Sequence, residues 1–287
     1  MGDAAAALLM GGSAVLGALI GSFLNVVIHR VPAGLSVVYP PSACPGCGNR
    51  IREYDNIPVI SWLILRGRCR DCREPISARY PLIEAGTALA FGMVAAWMLS
   101  PLSPAGGVVE AAGVAGLAAG ALLLVAYLWL AAASIALTAI DLETHRLPNV
   151  IVLPGYAVAA AGLGIPALLA GDLERLGTMA AGAGMLFAAY AVMAMAWPGG
   201  MGMGDVKLAG VLGAFLGFSG WAALIVGAFG AFVLGGVISI VLLVTKRVSR
   251  KGGIPFGPWM TAGAWVGLVL GASIAASYLS LFGIELV

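Results

Sequence analysis

Eight long apolar runs, at roughly 5–28, 82–100, 117–140, 148–170, 177–197, 206–218, 220–245 and 257–283, limit what this chain can fold into. A helix needs ~20 apolar residues to cross a bilayer core, and most of these runs supply them. Only 10% of the residues are charged, against ~25% in ordinary globular chains. A disordered chain, a secreted disulfide scaffold and a soluble nucleic-acid binder are all excluded by that composition. The expected fold is an all-α polytopic membrane protein of about eight transmembrane helices. Its first partner is the lipid bilayer, and no nucleic-acid partner is expected.

The basic residues order these runs. Arg30, Arg50, Arg52, Arg66, Arg68, Arg70, Arg73 and Arg79 follow the first run; Lys246, Arg247, Arg250 and Lys251 separate the seventh and eighth. Arg146 and Lys207 follow the third and fifth. With alternating crossings, Arg175 alone falls on the opposite side, where Glu110, Asp172, Glu174 and the terminal Asp3 and Glu285 also lie. Lys and Arg concentrate on the cytoplasmic side, so both termini are expected outside. The first run carries Asp3 instead of a basic leader and reads as an uncleaved anchor.

The expected domains are a first transmembrane helix over 1–30, a cytoplasmic insert over 31–81 and a transmembrane core over 82–287. Two runs fit awkwardly. Residues 111–140 lack charge and would make ~45 Å of helix, whereas 206–218 would make only ~20 Å. A short or broken helix turning near Ser219–Gly220 is therefore expected. Gly17/Gly21, Gly116/Gly120, Gly213/Gly217 and Gly267/Gly271 repeat at the four-residue spacing that permits close helix packing.

The insert holds all four cysteines, as Cys44-Pro-Gly-Cys47 and Cys69-Arg-Asp-Cys72. Two such turns bring four thiolates around one tetrahedral zinc, and four sulfur ligands leave no open catalytic position. Cytoplasmic thiols stay reduced, which argues against two disulfides. A module this small buries little apolar surface, so a structural zinc would staple it. His29 and His145 are too scattered to join the ligands. The segment Tyr54–Trp62 between the pairs is either the insert's own small core or an interfacial contact, and packing is the favoured reading.

Two acids stand where acids are costly. Asp141 ends the third run, and Asp205 closes Gly202-Met203-Gly204-Asp205 at the mouth of the sixth. Intramembrane acids are functional candidates by default. Two carboxyls brought close share one proton, the requirement of an aspartic peptidase. Gly202 and Gly204 would let a substrate strand approach, and Lys207 would stabilise charge or reach the interface. The same acids also fit a proton- or cation-coupled transporter, or plain helix-end acids reaching headgroups.

Further segments bear a resemblance. Gly21–Pro32, the paired CxxC turns, Tyr54–Trp62, Ile76–Glu84, Asp141 with Leu147-Pro148-Asn149, the GxGD sequence with Lys207, and Ile254–Pro258 occur in one order along the chain. In that order they resemble the type IV prepilin peptidases, the bifunctional leader peptidase/N-methyltransferases. The resemblance implies a GxGD aspartic peptidase of the bacterial inner membrane, with Asp141 and Asp205 as its catalytic pair. Its implied substrates are prepilins or pseudopilins of pilus and type II secretion systems, cut after the glycine that ends a basic leader. It also implies N-methylation of the new terminus from S-adenosylmethionine, with the insert required. Many relatives carry Asp where Asn149 stands; the pair at 141 and 205 is complete without it. No glycine-rich cofactor fingerprint is present, so Asn25, Glu53, Asp55 and Glu84 are only the first polar groups to inspect for methyl transfer. A peptidase-only enzyme with a structural zinc insert is the alternative.

Overall fold

A computed structural model describes residues 2–196, 201–245 and 254–284. Lys246, Arg247, Arg250, Lys251, Glu285 and the end of the fifth run at Trp197 lie outside the described residues. Seven helical stretches are long and apolar enough to cross a membrane. They are α1 (Asp3–Arg30), α3 (Arg79–Met98), the stretch 113–144 containing α5 (Gly116–Thr144), the stretch 149–169, α9 (Leu173–Ala196), α11 (Trp221–Val244) and α12 (Gly257–Ser280). The short sixth run is helix α10 (Met203–Ser219), with 17 residues. Two small helices, α2 (Ile60–Ile64) and α4 (Ala105–Ala111), lie outside these stretches.

The turn expected at Ser219–Gly220 is present. α10 stops at Ser219 and α11 starts at Trp221, with Gly220 at φ 108° between them. A side chain would be strained there, so glycine permits the abrupt reversal. From Leu208 to Phe218 α10 is buried without interruption. The run 148–170 is not one regular helix. It is built from α6 (Asn149–Val152), α7 (Pro154–Ala159), a π-helical turn over Ala160–Gly164 and α8 (Ile165–Leu169). Pro154 opens α7 and Pro166 is the second residue of α8; each lacks the N–H that would continue the preceding ladder.

Two compact units divide the chain, Met1–Leu99 with Leu130–Ala136, and Ser100–Trp129 with Leu137–Val287. In the first, α1 and α3 touch along a stripe spaced by four residues. A Cβ on Gly17 would stand 2.6 Å from Thr87 O, and one on Gly21 would stand 2.7 Å from Glu84 Cα. Asn25 continues the stripe and donates to Tyr80 O at 3.2 Å. In the second unit, Gly213 and Gly217 of α10 face Gly182 of α9, and Gly267 and Gly271 of α12 face Gly227 and Ala223 of α11. Gly116 and Gly120 behave differently, since both face Val109 of the preceding α4. Helix spacing in lipid is set by how closely backbones approach, which is what these glycines allow.

Arg175, expected on the opposite side from the other basic residues, sits in the first turn of α9, paired with Asp172 at 3.1 Å and donating to Pro104 O at 2.7 Å. The cysteine spacing predicts a small zinc-ribbon-like insert between the first and second transmembrane helices, and that needs correction. The insert is ribbon-like in its cysteine turns only: among the described residues it has no β-sheet, just the isolated bridges Ala43–Arg50 and Arg68–Pro75.

Candidate active site

Helix α5 carries Asp141 three residues before its last, Thr144. His145 then turns left-handed, at φ 52°, and returns its N–H to Asp141 O at 2.9 Å. That cap ends the helix just beyond the acid. The Asp141 side chain is buried and accepts the Gly257 N–H at 2.9 Å. Gly257 is the first residue of α12, whose first-turn N–H groups have no partner within the helix. One turn further along, Thr138 and Thr261 approach to 3.2 Å through their hydroxyls, so α5 and α12 are tied at two successive levels.

Asp205 lies in the first turn of α10 and folds back to accept the Gly202 N–H at 3.0 Å. This is half of a capping box; glycine has no side chain to complete it. Asp141 and Asp205 share a neighbouring residue. Leu147 connects their surroundings. A Cβ on Gly204 would stand 2.9 Å from Leu147 Cβ, and one on Gly257 would stand 3.1 Å from Leu147 Cδ2 and 2.8 Å from Asp141 Oδ2. Gly204 and Gly257 are therefore glycines because Leu147 and a carboxylate occupy the space beside them.

Lys207 Nζ donates to Asn149 Oδ1 at 3.0 Å. Tyr156, from α7, donates its hydroxyl to Lys207 O at 2.8 Å and lies against Gly210. Asn149 and Tyr156 thus hold the first turn of α10 from the neighbouring broken helix. The sequence links Asp141 with Leu147-Pro148-Asn149 and marks the Ile254–Pro258 segment. It offers no route to Gly257 as a hydrogen-bond partner of Asp141 or to Tyr156 as a partner of Lys207.

The four cysteine sulfurs lie within 4.8 Å of one another, and Cys44 and Cys72 are 3.6 Å apart. Four thiolates at ~2.3 Å from one zinc would be separated by ~3.8 Å, so the cluster fits a closed tetrahedral site. Both turns have the same construction. Cys44 N–H donates to Asn49 O at 2.9 Å and Cys69 N–H to Glu74 O at 2.8 Å. The residue after each pair, Gly48 or Arg73, has positive φ. The backbone N–H groups of Cys47 and Gly46 pull the Cys44 thiol down to about 7, whereas, against the backbone N–H of Glu74, burial and the neighbouring cysteines push Cys72 up to about 12.

The four polar groups singled out for methyl transfer differ in how they are held. Asn25 bonds Gly21 O and Tyr80 O. Asp55 is gripped by Arg70, whose Nε donates at 3.0 and 2.9 Å. Glu84 is buried and accepts the Val59 N–H at 2.7 Å. Glu53 is exposed on a three-residue 3-10 turn. Three of the four therefore already have structural partners.

Comparison with known proteins adds to this geometry. Residues 15–98 match the Bacterial Peptidase A24 N-terminal domain. Residues 128–240 match the Type IV leader peptidase family. A Pseudomonas putida protein named prepilin leader peptidase/N-methyltransferase is 36% identical, over 94% of this chain and 93% of its own. Proteins of the same name from Pseudomonas aeruginosa and Aeromonas hydrophila are 32% and 36% identical, covering 94% and 92% of this chain and 93% and 91% of theirs. No solved structure matches.

Proposed function

The chain belongs to the type IV leader peptidase family, and on that premise we propose that it is an aspartic endopeptidase of the bacterial inner membrane. It removes the basic leader of type IV prepilins or pseudopilins by cutting after a glycine at the cytoplasmic face. The observation that carries this reading is that Leu147 borders the surroundings of both Asp141 and Asp205, and that each acid is oriented by a backbone N–H. Two carboxyls in electrostatic contact resist double ionisation, so one stays protonated while the other is charged. The charged one takes a proton from water, whose oxygen adds to the scissile carbonyl carbon. The protonated one gives its proton to the carbonyl oxygen. Collapse of the tetrahedral adduct then expels the amine, which leaves with a proton.

Gly202 leaves the backbone just before Asp205 free of a side chain, so an extended substrate strand can lie against it there, whereas Gly204 gives its space to Leu147. Lys207 is held by Asn149 and acts as support for the turn. Both termini are placed outside on the charge pattern of the links. The relatives' name extends to N-methyl transfer, and the same second activity is proposed here with S-adenosylmethionine as donor. No methyl-transfer step is assigned to Asn25, Glu53, Asp55 or Glu84, three of which are held by structural partners. The four cysteines would hold a zinc whose role is to fix the insert.

The test is cleavage of a prepilin peptide by the purified protein in lipid nanodiscs, read by mass spectrometry. A product beginning at the residue after the leader glycine is expected. Intact peptide, or a cut elsewhere, would overturn the reading.

A further inference from the structure

The apolar stretch Tyr54–Trp62 has two faces in the structure. Trp62 turns inward: its Nε1 donates to Ile76 O at 3.0 Å, and a Cβ on Gly67 would stand 2.8 Å from its ring. Ser61 is buried and donates its hydroxyl to Tyr54 O at 2.9 Å. The outer face of α2 is open. Ile60, Leu63 and Ile64, spaced as one helical stripe, are 55%, 61% and 70% exposed. Leaving three large aliphatic side chains in water forgoes the main stabilisation such residues offer.

The level of this stripe is set by a hydrogen bond. Val59, the residue before α2, donates its N–H to Glu84 Oε2 at 2.7 Å. Glu84 is the sixth residue of the membrane-spanning α3, ~8 Å of helix rise from its start. Its side chain leans back toward that start. α2 is therefore pinned beside the first turns of α3, where Tyr80 and Leu82 are also exposed. The Asn25–Tyr80 bond holds the end of α1 at the same level. A segment fixed there meets headgroups and the first acyl carbons. Two arginines follow it, Arg66 and Arg68; both are exposed, and among the described residues neither makes an ion pair.

We infer that α2 is an interfacial wedge. Ile60, Leu63 and Ile64 enter the acyl region of the leaflet at the α3 start, and Arg66 and Arg68 take the phosphates of anionic headgroups. The insert is then anchored to the bilayer along its side as well as by the two helices that flank it in sequence. This inference does not depend on the peptidase reading.

The experiment places a photo-crosslinker at the most exposed of the three, Ile64→p-benzoylphenylalanine, in the full chain. The protein is assembled in nanodiscs of phosphatidylethanolamine and phosphatidylglycerol and irradiated with and without prepilin peptide. Phospholipid adducts are expected in the intact mass, in a yield the peptide does not change, with phosphatidylglycerol enriched over its bulk share. Adding Arg66→Gln and Arg68→Gln should abolish that enrichment. Crosslinks to the peptide, to a second copy of the chain, or no lipid adduct at all would overturn the wedge. Enrichment that survives loss of both arginines would overturn its headgroup half. An unchanged thermal unfolding midpoint confirms that each variant is folded.

Discussion

The cysteine insert and the neighbourhood of Asp141 and Asp205 both hold carboxylates, and they hold them by opposite means. In the insert, Asp55 is clasped through both oxygens by Arg70, and Asp71 is paired with Arg52 at 3.1 Å. The Arg70 guanidinium holds the Asp55 carboxyl below the usual carboxylate range, against the opposing effect of its burial. Around Asp141 and Asp205 the donors are single backbone N–H groups, and among the described residues no salt bridge reaches either acid. A carboxylate locked to a guanidinium stays charged and structural. One oriented by a lone amide keeps an oxygen and a proton for chemistry. Position in the fold, more than residue type, separates the aspartates locked in ion pairs from the two proposed as catalytic.

The largest test of that contrast is Asp141→Asn or Asp205→Asn. Either should cut leader cleavage by ~1,000-fold or more, since removing a general acid or base typically costs 100- to 10,000-fold and here one proton is shared. The protein should still accumulate in the membrane. Near wild-type cleavage by either purified variant would remove the catalytic pair. Next is Gly257→Ala, whose added carbon would press on Asp141 Oδ2. We expect kcat to fall ~10- to 100-fold at unchanged KM, because misplacing a reacting group by about an ångström costs that much. A loss confined to KM would place Gly257 in substrate binding instead.

Cys44→Ser with Cys47→Ser should abolish the metal, about one zinc per chain by elemental analysis in the parent protein. The insert should loosen while peptide cleavage changes only a few-fold. If cleavage collapses together with the metal, the two regions are not functionally separable. Tyr156→Phe removes one hydroxyl donor from Lys207 O and should lower kcat about five-fold, the value of one ordinary hydrogen bond. No change would mean that packing against Gly210 alone holds that turn.

Acidity should affect the two regions differently. Because the Asp55 carboxyl is depressed, its contribution to insert stability is complete above the ordinary aspartate range and is lost as pH falls through the lowered value. Hydrogen exchange in the insert should rise slightly under acid, and Arg70→Gln should remove that dependence. This is the smallest effect expected. Cleavage should fall on both sides of an optimum, as the charged acid gains a proton or its partner loses one.

Much of the fold was legible because hydrocarbon imposes long apolar runs. The same constraint made the reversal at Gly220 readable from a run too short to cross. The broken stretch 149–169 was not, since apolar content alone does not distinguish a regular helix from one interrupted at Pro154 and Pro166. The cysteine cluster was visible in its local spacing. Gly257 was not visible as a partner of Asp141: the two are 116 residues apart, and a backbone amide leaves no mark in residue type. The faces of Tyr54–Trp62 were equally hidden, because a bond from Val59 to Glu84 decides which side packs and which stays open.

α10 has one more consequence. At 17 residues it is only ~26 Å long, and protein encloses it along nearly its whole length. Lipid tails therefore do not dictate where it ends, and its mouth need not lie flush with the membrane surface. Polar backbone at such depth is tolerated where protein or water surrounds it. A stunted rod in a proteinaceous sleeve can stop at the level its neighbours set, and an acid in its first turn need not be solvated by fat.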